Sequence, residues 1–289
     1  MTLTTDAGAA GVLRLGDMPV HRLGFGGMRL CGPGIWGWPE DRENALAVLQ
    51  RAVDLGVNFI DTADAYGPEV NERQIAQALH PYADGLVIAT KGGLTREGPG
   101  QWARDCRPER LRNCCDESLQ RLRVDHIDLY QLHAIDTKVP LADQVGTLRD
   151  LRDVGKIRFV GLSNVTVEQL DEAREIVEIV SVQNPYNVAD RHGNDALLAA
   201  CERHGIAFIP YFPVDAGDIG SVAALKPIAD AHGATIYQVA LAWLLHRSRA
   251  MLPIPGTSSI AHLEENVGAA SLELSAEEHA TLDAIGGRT

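Results

Sequence analysis

Four residue types in this chain could together carry acid–base chemistry. Asp61 and Tyr66 stand five apart in Asn58-Phe59-Ile60-Asp61-Thr62-Ala63-Asp64-Ala65-Tyr66-Gly67, and Lys91 and His133 follow. A free phenol, with a pKa of about 10, protonates a nascent alkoxide poorly at neutral pH. A neighbouring ammonium favours the phenolate and lowers that pKa. Lys91 would be that ammonium, held charged and aimed by Asp61, and His133 would hydrogen-bond and orient a substrate oxygen. Tyr66 would then give a proton in a reduction and take one in an oxidation. Taken singly, three of the four have an ordinary alternative: a surface or structural ion pair for Lys91, a satisfied core histidine for His133, a helix cap for Asp61.

What joins the four is their place at the ends of strand-like runs. Short apolar runs at 58–63, 86–91, 127–133, 157–163, 180–186, 206–212 and 251–255 alternate with helix-like runs. The helix-like runs are 42–55, 69–80, 108–122, 141–154, 167–177, 194–204, 223–232, 235–245 and 261–270. In the first of these, Ala45, Val48, Leu49, Ala52 and Val53 have helical spacing, and Gly56 stops it. Thr166-x-x-Gln169 and Ser275-x-x-Glu278 read as capping boxes, the second opening a C-terminal helix. A first strand over 22–26 brings the count to eight, each followed by at least one helix. Nearly continuous apolar strands such as Leu86-Val87-Ile88-Ala89 suit a parallel sheet covered by helices.

The expected fold is therefore an α/β (β/α)8 TIM barrel with an N-terminal β-hairpin, its turn at Gly16-Asp17, and additional C-terminal helices. It forms a single domain over residues 1–289, with 1–12 a flexible leading segment. An open doubly wound sheet lacks the early GxGxxG it would need. In a barrel the C-terminal strand ends share one face, so Asp61, Tyr66, Lys91 and His133 should meet there.

Bulk properties narrow the partners. The chain has 289 residues and a formal net charge of −13, which argues against nucleic acid and anionic membrane surfaces as partners. It leaves room for an anionic cofactor, because amides at helix N-termini hold phosphate without net positive charge. Met1 to Ala10 lacks the features of a secretory signal, and no apolar run has the roughly 18 residues of a membrane span. Five cysteines with no framework spacing (Cys31, Cys106, Cys114, Cys115 and Cys201) suit reduced thiols and a cytoplasmic location. No histidine or cysteine spacing suggests a metal. Protein partners are not legible.

Pro253-Ile254-Pro255-Gly256-Thr257-Ser258-Ser259 leads into Ala261-His262-Leu263-Glu264-Glu265-Asn266. A small-residue loop after the eighth strand, feeding a helix N-terminus, is a frequent phosphate site in barrels; an ordinary β–α turn is the alternative.

Asp61, Tyr66, Lys91 and His133, taken with Gly161-Leu162-Ser163-Asn164, Gln183-Asn184-Pro185-Tyr186-Asn187 and Ile254-Pro255-Gly256, resemble the aldo-keto reductase family from about Leu13 onward. That resemblance implies hydride transfer between a nicotinamide cofactor and a carbonyl or alcohol, without a metal. It implies that Ser163, Asn164 and Gln183 hold the carboxamide and that Tyr211, followed by Phe212 and Pro213, stacks on the nicotinamide. It puts Gly26, Met28 and Asp61 beside the cofactor. Gly256, Thr257, Ser258, His262, Glu265 and Asn266 match the segment around the adenosine 2′-phosphate and adenine.

Positions 256 and 262 often carry Lys and Arg in this family, where this chain has Gly256 and His262. Thr257, Ser258 and backbone amides could still hold the phosphate, so NADP(H) is expected ahead of NAD(H). Within the family, Leu30-Cys31-Gly32-Pro33-Gly34-Ile35-Trp36-Gly37-Trp38-Pro39 is similar to the first loop of bacterial pyridoxal reductases (pyridoxine 4-dehydrogenases). Reduction of pyridoxal to pyridoxine is thus the leading expectation, with Trp36 or Trp38 stacking on the substrate beside Tyr66 and His133. Broad aldehyde or ketone reduction is the second reading, and a cofactor-binding regulatory subunit the third.

Overall fold

The computed structural model describes residues 5–191, 193–214, 219 and 222–285. The hairpin is present as β1 (Val12–Leu15) paired antiparallel with β2 (Met18–His21). The parallel strands are β3 (Phe25–Gly26), β4 (Phe59–Asp61), β5 (Val87–Gly92), β8 (Ile127–Leu132), β9 (Ile157–Ser163), β10 (Ile179–Pro185) and β11 (Ala207–Tyr211). They form one sheet in the order β11-β10-β9-β8-β5-β4-β3. Between β5 and β8 lies a second hairpin, β6 (Leu94–Gly98) with β7 (Gln101–Arg104).

Helices follow the strands: α1 (Arg42–Asp54), α2 (Val70–Leu79), α3 (Pro108–Leu122), α4 (Leu141–Asp153), α5 (Val167–Arg174) and α6 (Asp195–His204). After β11 come α7 (Leu225–His232), α8 (Ile236–Arg247), α9 (Ile260–Gly268) and α10 (Ala276–Asp283). Both expected capping boxes form, at Thr166 with Gln169 and at Ser275 with Glu278, and Thr235 with Gln238 makes a third.

The eighth strand, expected over 251–255, differs. Met251 makes a single parallel bridge to Phe208, and no further ladder forms. Pro253 and Pro255 have no N–H to donate. Their carbonyls still accept from Gly24 and Gly26, at 3.0 and 3.5 Å. Those bonds close the barrel, and the same prolines explain why β3 is shorter than the expected 22–26. Of the leading segment expected to be flexible, residues 1–4 lie outside the described residues. Ala7–Ala10 is instead a 3-10 turn capped by Asp6, with Ala7 fully buried and its N–H bonded to Leu55 O at 2.8 Å.

Strand alternation sorts the apolar side chains into two layers. Phe59, Val87, Ala89, Leu129, Ile209 and Leu252 fill the barrel interior, where Leu15, Met18 and Val20 of the first hairpin join them as a plug at the N-terminal end. Ile60, Ile88, Tyr130, Leu132 and Val160 face outward and pack with the helices. The same alternation turns Asp61, Lys91, Gln131 and His133 inward, above the plug and at the opposite end. No helix among the described residues is long and apolar enough to cross a membrane.

Candidate active site

Adjacent strands set the first contacts. Asp61 stands beside Ala89 in the β4–β5 register, and Lys91 beside Gln131 in the β5–β8 register. Lys91 is fully buried, and its Nζ donates to Asp61 Oδ2 at 2.6 Å and to Thr62 O at 2.9 Å. It also donates to the Tyr66 hydroxyl at 3.4 Å. The other carboxylate oxygen of Asp61 accepts from Gln131 at 3.1 Å and Gln183 at 2.8 Å. Gln131 reaches it because residue 161 is glycine: a Cβ there would sit 2.9 Å from Gln131 Cγ and 2.3 Å from Ser181 Oγ.

Tyr66 is buried, and its ring meets His133 edge-on at 5.8 Å and 81°. Burial pushes the His133 imidazole well below its usual range, helped by the Lys91 charge. The ring is neutral at pH 7 and carries one N–H, so it can donate to an oxygen without adding charge. Burial also lowers the Lys91 ammonium, which Asp61 opposes.

Tyr66 behaves differently from the depressed phenol expected above. Burial comes first, followed by the nearby Asp61 charge, and together they push it well above the ordinary tyrosine value. The Lys91 ammonium is already matched by Asp61 at 2.6 Å, so the phenol faces a nearly neutral pair, not a free cation. Tyr66 therefore holds its proton throughout the neutral range, which is the form a reduction needs.

A second buried charge cluster supports the strand ends from the helix side. Glu72 of α2 accepts from Thr90 Oγ1 at 2.6 Å and from Arg121 Nε of α3 at 2.5 Å. Glu72 is fully buried and Arg121 nearly so. Beside it, burial and then the Glu72 charge push the Asp64 carboxyl up to about 7.

Tyr66, Asp61 and His133 border a cavity of about 600 Å³, within the range of cofactor and substrate sites. Every residue assigned above to the cofactor also borders it, from Gly26 and Met28 to Glu265 and Asn266. At the end near Tyr66 and His133, Asn164 adopts a left-handed backbone (φ 58°) and donates to Ser163 Oγ at 3.0 Å and His133 O at 3.0 Å. The Tyr211 hydroxyl donates to Asn164 Oδ1 at 2.7 Å, which fixes its ring in the wall. Gln183 has committed its amide N–H to Asp61, leaving its carbonyl oxygen as an acceptor.

The far end is built on α9, whose N-cap Ser259 accepts from His262 N. Asn44 of α1 donates to Ser258 O at 2.7 Å, and Thr235 beside α8 donates to Glu265 Oε1 at 2.6 Å. These bonds hold the 257–266 segment against the barrel.

Trp36 and Trp38 do not border the cavity. Both are half-buried in the first loop, where Arg42 lies 4.4 Å over Trp38 and Arg96 lies 5.7 Å over Trp36. Trp102 of β7 borders the cavity instead, with ring centroids 6.5 Å from Tyr66 and 6.4 Å from His133. Sequence reasoning missed it, although Pro99-Gly100 with Gly100 at φ +72° is a readable hairpin turn. It missed Gln131 too, which shares the inward parity of His133.

Arg29 was the third omission. It borders the cavity near Gly256, where an added Cβ would lie 3.6 Å from Arg29 Cγ and only 2.4 Å from Gly26 O. The close approach to Gly26 leaves no room for a side chain at 256 without a backbone shift. Arg29 is exposed and has no hydrogen bond or ion pair among the described residues.

Comparison with known proteins agrees with this geometry. A family model described as the Aldo/keto reductase family matches residues 22–286. An uncharacterized oxidoreductase of Schizosaccharomyces pombe is 49% identical over 282 residues, 97% of this chain and 92% of that protein. Pyridoxine 4-dehydrogenase of Escherichia coli is 44% identical over 277 residues, 94% and 96% of the two chains. The crystal structure of an aldo/keto reductase from Klebsiella pneumoniae in complex with NADP and acetate superposes with a TM-score of 0.81. It is 27% identical and covers 96% of each chain.

Proposed function

The chain belongs to the aldo/keto reductase family and is an oxidoreductase, and we propose that it reduces pyridoxal to pyridoxine with NADPH. The observation that carries the reductase chemistry is the Tyr66 hydroxyl standing 3.4 Å from Lys91 Nζ, which is itself paired with Asp61 at 2.6 Å. The substrate reading draws on the 44% identity to pyridoxine 4-dehydrogenase of Escherichia coli.

A bound nicotinamide cofactor would supply the hydride. The residues present fit such a group. Ser163, Asn164 and the free carbonyl of Gln183 offer carboxamide partners beside Asp61, and Tyr211 offers a flat face. Tyr66 would deliver its proton to the carbonyl oxygen as negative charge develops there. His133 would donate its single N–H to the same oxygen. Lys91 would hold the phenol in place through its hydrogen bond to the hydroxyl, and Asp61 would keep Lys91 aimed.

NADP(H) is favoured over NAD(H) because Arg29 brings a free guanidinium to the end of the cavity where Gly256 and His262 bring none. Replacing Arg29 by Gln should weaken binding of NADP+ about tenfold and leave NAD+ almost unchanged, as expected for one charge-assisted contact to a 2′-phosphate. Titration of protein fluorescence with each dinucleotide tests this. Equal weakening of both would assign Arg29 to some other part of the cofactor. Five free thiols, four of them buried, are in keeping with a reducing compartment such as the cytoplasm.

The substrate reading is tested by following loss of NADPH absorbance with pyridoxal, with benzaldehyde alongside. A specificity constant for pyridoxal well above that for benzaldehyde is expected. Activity on benzaldehyde with none on pyridoxal would leave a reductase of broad specificity and reject the vitamin substrate.

A further inference from the structure

One side chain of the β6–β7 hairpin hydrogen-bonds to several segments of the active-site rim. Arg96, on β6, donates five hydrogen bonds, and every acceptor is a backbone carbonyl. Nε reaches Gln101 O at 3.0 Å, Nη1 reaches Ile35 O at 3.1 Å and Ala65 O at 3.2 Å, and Nη2 reaches Gly34 O at 2.9 Å and Gly98 O at 3.4 Å. A guanidinium has five N–H bonds, so its capacity matches the number of acceptors. The carbonyls belong to three segments: the first loop, the residue preceding Tyr66, and the hairpin itself.

The central carbon of the same guanidinium lies over the Trp102 ring, 3.7 Å from its centroid. Trp102 is 40% exposed, so one side of its ring stays open beside the guanidinium. It borders the cavity within ring contact of both Tyr66 and His133. Arg96 thus ties the segment that carries the proton donor to the aromatic wall beside it.

We propose that Arg96 is the positioning residue for the substrate end of the site. It holds Trp102 as a wall on which a flat ring stacks while the attached carbonyl reaches Tyr66 and His133, and so selects aldehydes borne on planar rings over aliphatic ones. This rests on the reductase reading and adds a substrate class to it. A lysine would keep the charge but has three donors and no plane, so it could neither fill the five carbonyls nor stack on the indole.

The test compares Arg96→Lys, Trp102→Leu and Trp102→Phe with the unaltered enzyme, using benzaldehyde, pyridoxal and hexanal with NADPH. In Trp102→Leu the ratio of specificity constants, ring aldehyde over hexanal, should fall about tenfold, the scale of a lost aromatic contact. Trp102→Phe should recover most of that ratio. Arg96→Lys should lower it as well, although Trp102 is still present, and the change should lie in KM more than in kcat.

Calorimetric binding of benzoate and hexanoate to the NADP+ complex supplies a second readout that needs no turnover. Benzoate should lose affinity selectively in both Arg96→Lys and Trp102→Leu. An unchanged ratio in Trp102→Leu, or equal loss of benzoate and hexanoate, would overturn the proposal. So would Arg96→Lys behaving as the unaltered enzyme. An enzyme that reduced none of the three aldehydes would reject the reductase reading instead, and benzoate binding would still decide whether Trp102 stacks on a ring.

Discussion

Tyr66→Phe should lower kcat for carbonyl reduction by about 10²–10⁴, the span seen when a positioned general acid is removed. Affinity for the dinucleotide should stay within about twofold. The substitution deletes one oxygen and keeps the ring, so packing against His133 and Trp102 survives. The oxygen it removes accepts a hydrogen bond from Lys91 Nζ at 3.4 Å. Lys91 keeps its 2.6 and 2.9 Å bonds to Asp61 and Thr62, so no buried cation is stranded. Because burial keeps the phenol protonated well beyond neutrality, reduction by the unaltered enzyme should be level through the neutral range. Steady-state turnover, with the dinucleotide dissociation constant measured separately by fluorescence, distinguishes lost chemistry from lost binding. Turnover within tenfold of the unaltered enzyme would remove Tyr66 from the role of proton donor.

Arg121→Leu should be the most destabilising single change in the support of the site. It leaves Glu72, fully buried, without its cation, retaining the 2.6 Å bond from Thr90. Breaking a buried pair by removing one partner typically costs about 3–5 kcal/mol. In a domain of this size that corresponds to a fall in Tm of roughly 10 °C. Much of the loss should return in the double variant Glu72→Leu with Arg121→Leu, because the stranded charge is then gone as well. Thermal and urea unfolding of both variants measure this. A single-variant loss below about 1 kcal/mol would mean that water reaches Glu72 and that the pair is dispensable. Thr90 precedes Lys91 on β5, so the cluster braces from outside the strand whose inner face carries the ammonium.

The architecture and the four convergent groups were legible because strand ends leave a double mark: an apolar run that stops and a polar residue where it stops. Asp61, Lys91 and His133 all carry it. What escaped depends on side chains meeting across distant segments. Trp36 and Trp38 were reasonable substrate platforms in a loop over the site, but Arg42 and Arg96 lie against their rings, and neither pairing is visible in sequence spacing. Arg96 and Ile35 are 61 residues apart, and nothing local announces their bond. Arg29 could have been noticed as the cation nearest a first-strand glycine, but its place beside Gly256 emerges only when the barrel closes. Gln131 and Glu72 look like ordinary polar residues of a strand and a helix until their partners are known. The shortened eighth strand was available in principle, since two prolines two residues apart cannot both serve a regular ladder.

That closure by prolines has a consequence for the barrel as a mechanical object. A hoop is weakest at its joint, and here one side of the joint contributes only acceptors, through the carbonyls of Pro253 and Pro255. Gly26, Met28 and Arg29 stand on one lip of that joint, and Gly256, Thr257 and Ser258 on the other, all bordering the same cavity. A molecule long enough to touch both lips becomes a rivet, supplying cross-links that the backbone lacks. A molecule spanning both lips would therefore hold this joint of the wall closed as well as fill the cavity.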